Sequence, residues 1–139
     1  MRTFRDIAAL VGRIGIAVVF LAHGWAKWQN GIGATADMLA GAGIPLPSLA
    51  AVFVIAVEVL GSLAFIVGFA LPVVGIGYAI VGLGATFAVH LEAGLTGQGG
   101  YELVLVLALA GLALGFNGGR FALDNVLFNR ERAPEPVAA

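Results

Sequence analysis

The chain contains no cysteine, and only 11% of its 139 residues are charged. Without thiols there is no disulfide framework, no dithiol redox centre, no thiolate-held iron–sulfur cluster and no cysteine zinc site. Any redox chemistry would have to be carried by a bound small molecule or by a partner. A net charge of −1 and scattered arginines make no basic patch for nucleic acid. Such scarcity of charge also excludes an ordinary soluble domain, in which about 25% of residues are charged. With 60% hydrophobic residues and a mean hydropathy of +1.02, the composition is that of an integral membrane protein. The length suits one domain, because four segments of about 20 residues would use most of it.

What is present is organised by the run from Arg13 to Trp28, which sets three cations, Arg13, His23 and Lys27, in an apolar stretch long enough to cross a bilayer. On a helix turning about 100° per residue, Arg13, Phe20, His23 and Lys27 share an arc of roughly 80°. A charge within the membrane costs on the order of 2.5 to 3.5 kcal/mol on insertion scales, and it normally faces a bundle interior or a wet cavity. The rest of the chain is therefore read as what surrounds that stripe.

In order, residues 7–28 predict a first span of roughly 33 Å, a retained helix and not a cleaved leader. Trp25, Lys27 and Trp28 at its end equally fit a belt of aromatics with a snorkelling lysine. Residues 31–47, with a short helical pattern ended by Gly41 and Gly43 and followed by Pro45 and Pro47, predict a small interfacial lid over His23 and Lys27. Ser48 is a plausible N-cap for the next helix. The second span, residues 49–69, carries Glu58 about 14 Å in from the lid end. Glu58 reads either as a carboxylate holding a proton beside a ligand or as half of a buried pair with Arg13 that fixes register. The third span, residues 72–91, is rich in glycine for close packing and ends in His90, a ligand-facing residue or a hydrogen-bonded helix end. A flexible loop leads to the fourth span, residues 101–116, where Glu102 also suits the helix macrodipole. Residues 123–128 predict a short amphipathic surface helix, and 129–139 a disordered cytoplasmic tail.

The fold expectation is thus an all-α membrane protein, a four-helix transmembrane bundle with an interfacial lid and a C-terminal amphipathic helix, forming a single domain over residues 1–128. Arg2, Arg5, Arg120, Arg130 and Arg132 gather at the end shared by both termini, while Lys27 alone lies at the other, which predicts cytoplasmic termini. His23, Lys27, Glu58, His90 and Glu102 all fall in the outer half. Two histidines with carboxylates could bind a metal, but no dense ligand motif is present and none is assigned. A pocket for a small polar head group fits a lipid setting better, and a quinone is the natural candidate.

Gly12-Arg13, His23-Gly24-x-x-Lys27, Gly43-Ile-Pro45-x-Pro47, Glu58 with Gly61 and Gly68, His90 with Gly94, Gly100-x-Glu102 and Leu123-Asp124 together resemble the DoxX family of small four-helix bacterial membrane proteins. The resemblance runs from about Leu10 to Asp124. It implies residence in the bacterial cytoplasmic (inner) membrane and a link to membrane redox chemistry, since relatives include a subunit of a thiosulfate:quinone oxidoreductase and components tied to oxidative-stress complexes. The chain departs from the pattern at Ala70-Leu71, where relatives often carry Thr-Arg. The expected roles are proton donation or relay by His23 and His90, orientation by Glu58 and Glu102, and attraction of an anionic oxygen by Lys27. Arg13 and Trp25 are expected to help bind the ligand. The expected partners are the lipid bilayer and a protein partner or second copy. The alternative is a non-enzymatic assembly subunit whose buried charges only specify packing; a permease is weaker, since no inverted repeat is visible.

Overall fold

A computed structural model describes residues 1–128, so the tail expected at 129–139 lies outside the described residues. Every regular element within them is helical. Helix α1 spans Arg2–Asn30, α2 Ile32–Gly41, α3 Pro47–Val67, α4 Leu71–Ala93, α5 Glu102–Phe116 and α6 Leu123–Phe128. Three of these, α1, α3 and α4, are long and apolar enough to cross a membrane. Helix α5 is equally apolar but has 15 residues, about 22 Å at 1.5 Å per residue.

Helix α1 begins earlier than expected, because Arg2 to Asp6 continue the helical pattern into the interface. Pro47, not Ser48, sets the start of α3: it occupies the first turn, where its missing N–H costs nothing, and Leu46 before it turns left-handed at φ 50°. Gly68, at φ 80°, ends α3 two residues before the expected boundary.

The bundle core is aromatic. Tyr78 of α4, fully buried, stacks on Phe20 of α1 at 3.9 Å between ring centroids and meets Phe65 of α3 edge-on at 5.0 Å. Its hydroxyl and that of Ser62 share a hydrogen bond of 2.8 Å, so neither polar group is stranded. Helices α4 and α5 approach backbone to backbone. A Cβ on Gly75 would lie 2.9 Å from the Cα of Gly115, and one on Gly82 would lie 2.6 Å from the Cβ of Ala108. Of the glycines expected to serve packing, Gly84 is the exception, since a Cβ added there would meet nothing within 4 Å. Large apolar side chains such as Leu60, Val73 and Val106 point outward, as hydrocarbon and not water would require.

The short helix α2 exists, but it packs Ala36 and Leu39 against Ala51 at the start of α3.

At the end shared with α6, Arg13 is fully buried and donates to the carbonyls of Gly118 at 3.0 Å, Ile66 at 3.3 Å and Phe121 at 3.0 Å. Asp124 accepts from the backbone N–H groups of Ala70 and Leu71, both at 2.8 Å, and so caps α4. A Cβ on Gly68 would come within 2.5 Å of Ala122 and 2.7 Å of the Arg13 guanidinium. Gly68→Ala should therefore lower the unfolding midpoint in detergent, with backbone strain alone costing about 1 to 3 kcal/mol. Gly84→Ala, added into open space, should leave it unchanged or raise it.

Candidate functional site

At the opposite end of the bundle, a cavity of about 170 Å³ is lined by Phe20, His23 and Lys27 of α1, Glu58 of α3, Val81, Ala85 and His90 of α4, and Leu103, Val104 and Leu107 of α5, with Gly100 at its edge. Four ionisable side chains from three helices thus meet on one side. The α5 wall facing them is apolar.

Local backbone irregularity puts two of those groups there. Val57–Gly61, which contains Glu58, and Thr86–His90, which ends in His90, are both π-helical turns within otherwise α-helical spans. A π turn accommodates one extra residue and re-aims the side chains that follow; such turns concentrate at functional sites. At the second turn a physical prompt is visible. The Thr86 hydroxyl donates back to the Gly82 carbonyl at 2.8 Å, a local bond that bends helices.

Gly24 is buried where α1 crosses the first π turn, and a Cβ there would fall 2.5 Å from the Glu58 Cβ and 3.0 Å from the Glu58 backbone. Only glycine permits this approach. One turn further along α1, Lys27 Nζ reaches Glu58 Oε2 at 2.7 Å, and His23 lies within electrostatic reach of the same carboxylate. The spacing His23-Gly24-x-x-Lys27 therefore has a mechanical reading: glycine for contact, lysine for pairing, and histidine on the cavity wall. The Glu58 side chain is 6% exposed and that of Lys27 24%, so the pair is buried at its acidic end and open at its basic end.

On α4, His90 Nδ1 lies 2.9 Å from the Gly99 carbonyl. A carbonyl only accepts, so Nδ1 carries the hydrogen and the neutral ring keeps Nε2 as an acceptor. The 94–100 loop is closed on itself and on α5 by Tyr101 N–H to Gly94 and Glu102 N–H to Leu95 bonds of 3.1 and 3.0 Å.

Of the residues expected at the site, His23, Lys27, Glu58 and His90 are brought together and Arg13, Trp25 and Glu102 are not. Arg13 sits about 21 Å along α1 from Lys27, so Glu58 pairs with Lys27 and the alternative Arg13–Glu58 pair does not form. Trp25 projects from another face of α1 and lines a separate apolar groove with Trp28 and Val59. Glu102 is exposed in the first turn of α5, in keeping with the macrodipole reading. No residue of 31–47 lines the cavity, so the lid does not cover it. The Tyr78–Ser62 hydrogen bond is not legible in the sequence. Its signal was polarity inside an apolar span, but a tyrosine among glycines carries no periodicity that names its partner. Among the described residues, no group of three or more histidine or acidic side chains is placed to hold a metal ion.

Long apolar helices around a one-sided polar cavity define a small helical integral membrane protein. The DoxX family model matches residues 8–91, and the chain belongs to the DoxX family. It is 32% identical over 128 residues, 91% of this chain and 92% of the relative, to the protein named "Putative oxidoreductase CatD" of Bacillus subtilis (strain 168). No solved structure matches it.

Removing one partner of a buried ion pair strands the other, at about 3 kcal/mol where burial is substantial. Lys27→Met should lower the unfolding midpoint in detergent, and Lys27→Met combined with Glu58→Gln should recover part of the loss. Equal midpoints for the single variant and the parent would show that the pair bears no load.

Proposed function

We propose that this protein is a membrane redox component whose cavity receives the head group of a quinone or a similar small redox-active ring. The observation that carries the reading is the convergence of His23, Lys27, Glu58 and His90 on one cavity faced by an apolar wall. Membership in the DoxX family and a relative named as an oxidoreductase support it. A volume of about 170 Å³, below the 300 to 1,000 Å³ usual for whole drug-sized ligands, suits a single ring with any tail lying in lipid.

Reduction of a quinone to a quinol takes two electrons and two protons. The electrons come from a partner protein carrying a redox group, because this chain has no thiol to carry them. The chain's own part is the protons and the charge. His23 and His90 donate or relay protons to the ring oxygens, Glu58 orients His23, and the open end of Lys27 attracts the oxygen on which negative charge develops. The same Lys27–Glu58 contact ties α1 to α3, which favours as a second reading an assembly subunit without chemistry of its own.

In the membrane, α5 acts as the fourth span, shorter than the others and matched to the bilayer by local thinning. Both termini lie in the cytoplasm and the cavity opens in the outer half of the inner membrane, following the arginines at the terminal end. The absence of native cysteine makes this simple to check. In spheroplasts, Thr96→Cys should react with an impermeant maleimide and Arg2→Cys should react only after permeabilisation; the reverse pattern inverts the topology.

The functional test is binding of ubiquinone-1 and menadione to the parent in nanodiscs, compared with His23→Ala and Glu58→Gln variants that keep parental helicity. The expected result is retention by the parent and at least about a tenfold weakening in each variant, equivalent to roughly 1.4 kcal/mol. Undiminished binding by both variants would sink the redox-site reading. A stoichiometric co-purifying protein with no quinone retained would favour the assembly reading.

A further inference from the structure

A second concavity lies at the other end, away from the ionisable cavity. It is an open groove of about 960 Å³ between the first turns of α1, the start of α4, the end of α5 and the loop that follows it. Arg2, Arg5 and Arg120 line it, and its walls include the apolar side chains of Leu71, Leu114 and Phe116.

The two acids that also line the groove are already engaged. Asp6 accepts from the Arg120 backbone N–H at 3.0 Å and pairs with its side chain at 3.5 Å, while both oxygens of Asp124 cap α4. Arg2 and Arg5 form no ion pair among the described residues. Among the described residues, the positive charge of Arg2 and Arg5 has no acidic partner in the groove. Its surroundings are apolar and turned outward, with Phe4 78%, Phe116 62% and Phe121 44% exposed, which is what the boundary between head groups and acyl chains selects. Cationic side chains beside an apolar wall at that depth match an amphiphile with an anionic head.

We infer that this groove is a seat for one anionic glycerophospholipid, its phosphate held by Arg2 and Arg5 and its acyl chains lying along Leu114 and Phe116. Charge complementarity selects this occupant over a zwitterionic lipid, since juxtamembrane arginines each favour an anionic surface about fivefold. The seat also explains the form of the groove, because a lipid bridging α1, α4 and α5 completes a face that the protein leaves open. This inference does not depend on what the opposite cavity binds.

The test reconstitutes the full chain in vesicles of phosphatidylcholine with a minor fraction of phosphatidylglycerol, extracts it in mild detergent, and counts retained lipids by native mass spectrometry. The parent should retain phosphatidylglycerol at least fivefold above its share of the vesicle, and raised salt should reduce that enrichment. The R2Q/R5Q variant, which alters only exposed side chains, should return to the bulk ratio while keeping its helicity. Lipid retained by the parent in bulk proportion overturns the proposal without reference to any variant. So does phosphatidylglycerol held equally well by R2Q/R5Q.

Discussion

The Lys27–Glu58 ion pair sets the terms for the rest of the molecule. A carboxylate near the middle of a span has no water to solvate it, and a lysine on a neighbouring helix answers only if the two backbones come close. Gly24 provides that closeness by letting α1 lie directly against the π turn that carries Glu58. The paired charges then form one wall of a cavity, while the stack of Phe20, Tyr78 and Phe65 beside it holds α1, α3 and α4 in register.

The far end solves the same problem differently. Arg13 is fully buried, yet among the described residues it meets no carboxylate directly. Its guanidinium is spread over three carbonyls that the ends of helices and a loop leave unpaired, with Asp124 providing negative charge nearby. This is a structural use of a cation, and it clasps the chain after α5 to the turn between α3 and α4. The molecule thus has a rigid latch at the terminal end and a polar cavity at the other. Gly68, at positive φ and against both Ala122 and Arg13, is the residue that lets the latch close.

The positions of the long apolar helices were legible because hydropathy and chain reach admit few alternatives. Four of the seven residues expected at the site were legible for a related reason: His23 and Lys27 lie on one helical stripe, and alternating helix direction carries Glu58 and His90 to the same half of the bundle. Arg13 shares that stripe in angle but not in height, and angular periodicity alone does not separate the two. Trp25 and Glu102 are near the site in sequence but face elsewhere. The lid reading failed because a short helix between spans can dock on either neighbour, and α2 finds its apolar partner in Ala51 of α3.

The sequence by itself determined the solvent in which this protein lives, its helical class, the absence of thiol chemistry and the crowding of ionisable groups toward one end. Those follow from composition and from periods that act locally along the chain. Only the tertiary structure decided which charge pairs with which, because pairing depends on helix height, on two π turns that shift side-chain direction, and on one glycine contact between α1 and α3. Such features arise between elements, where no local pattern records them.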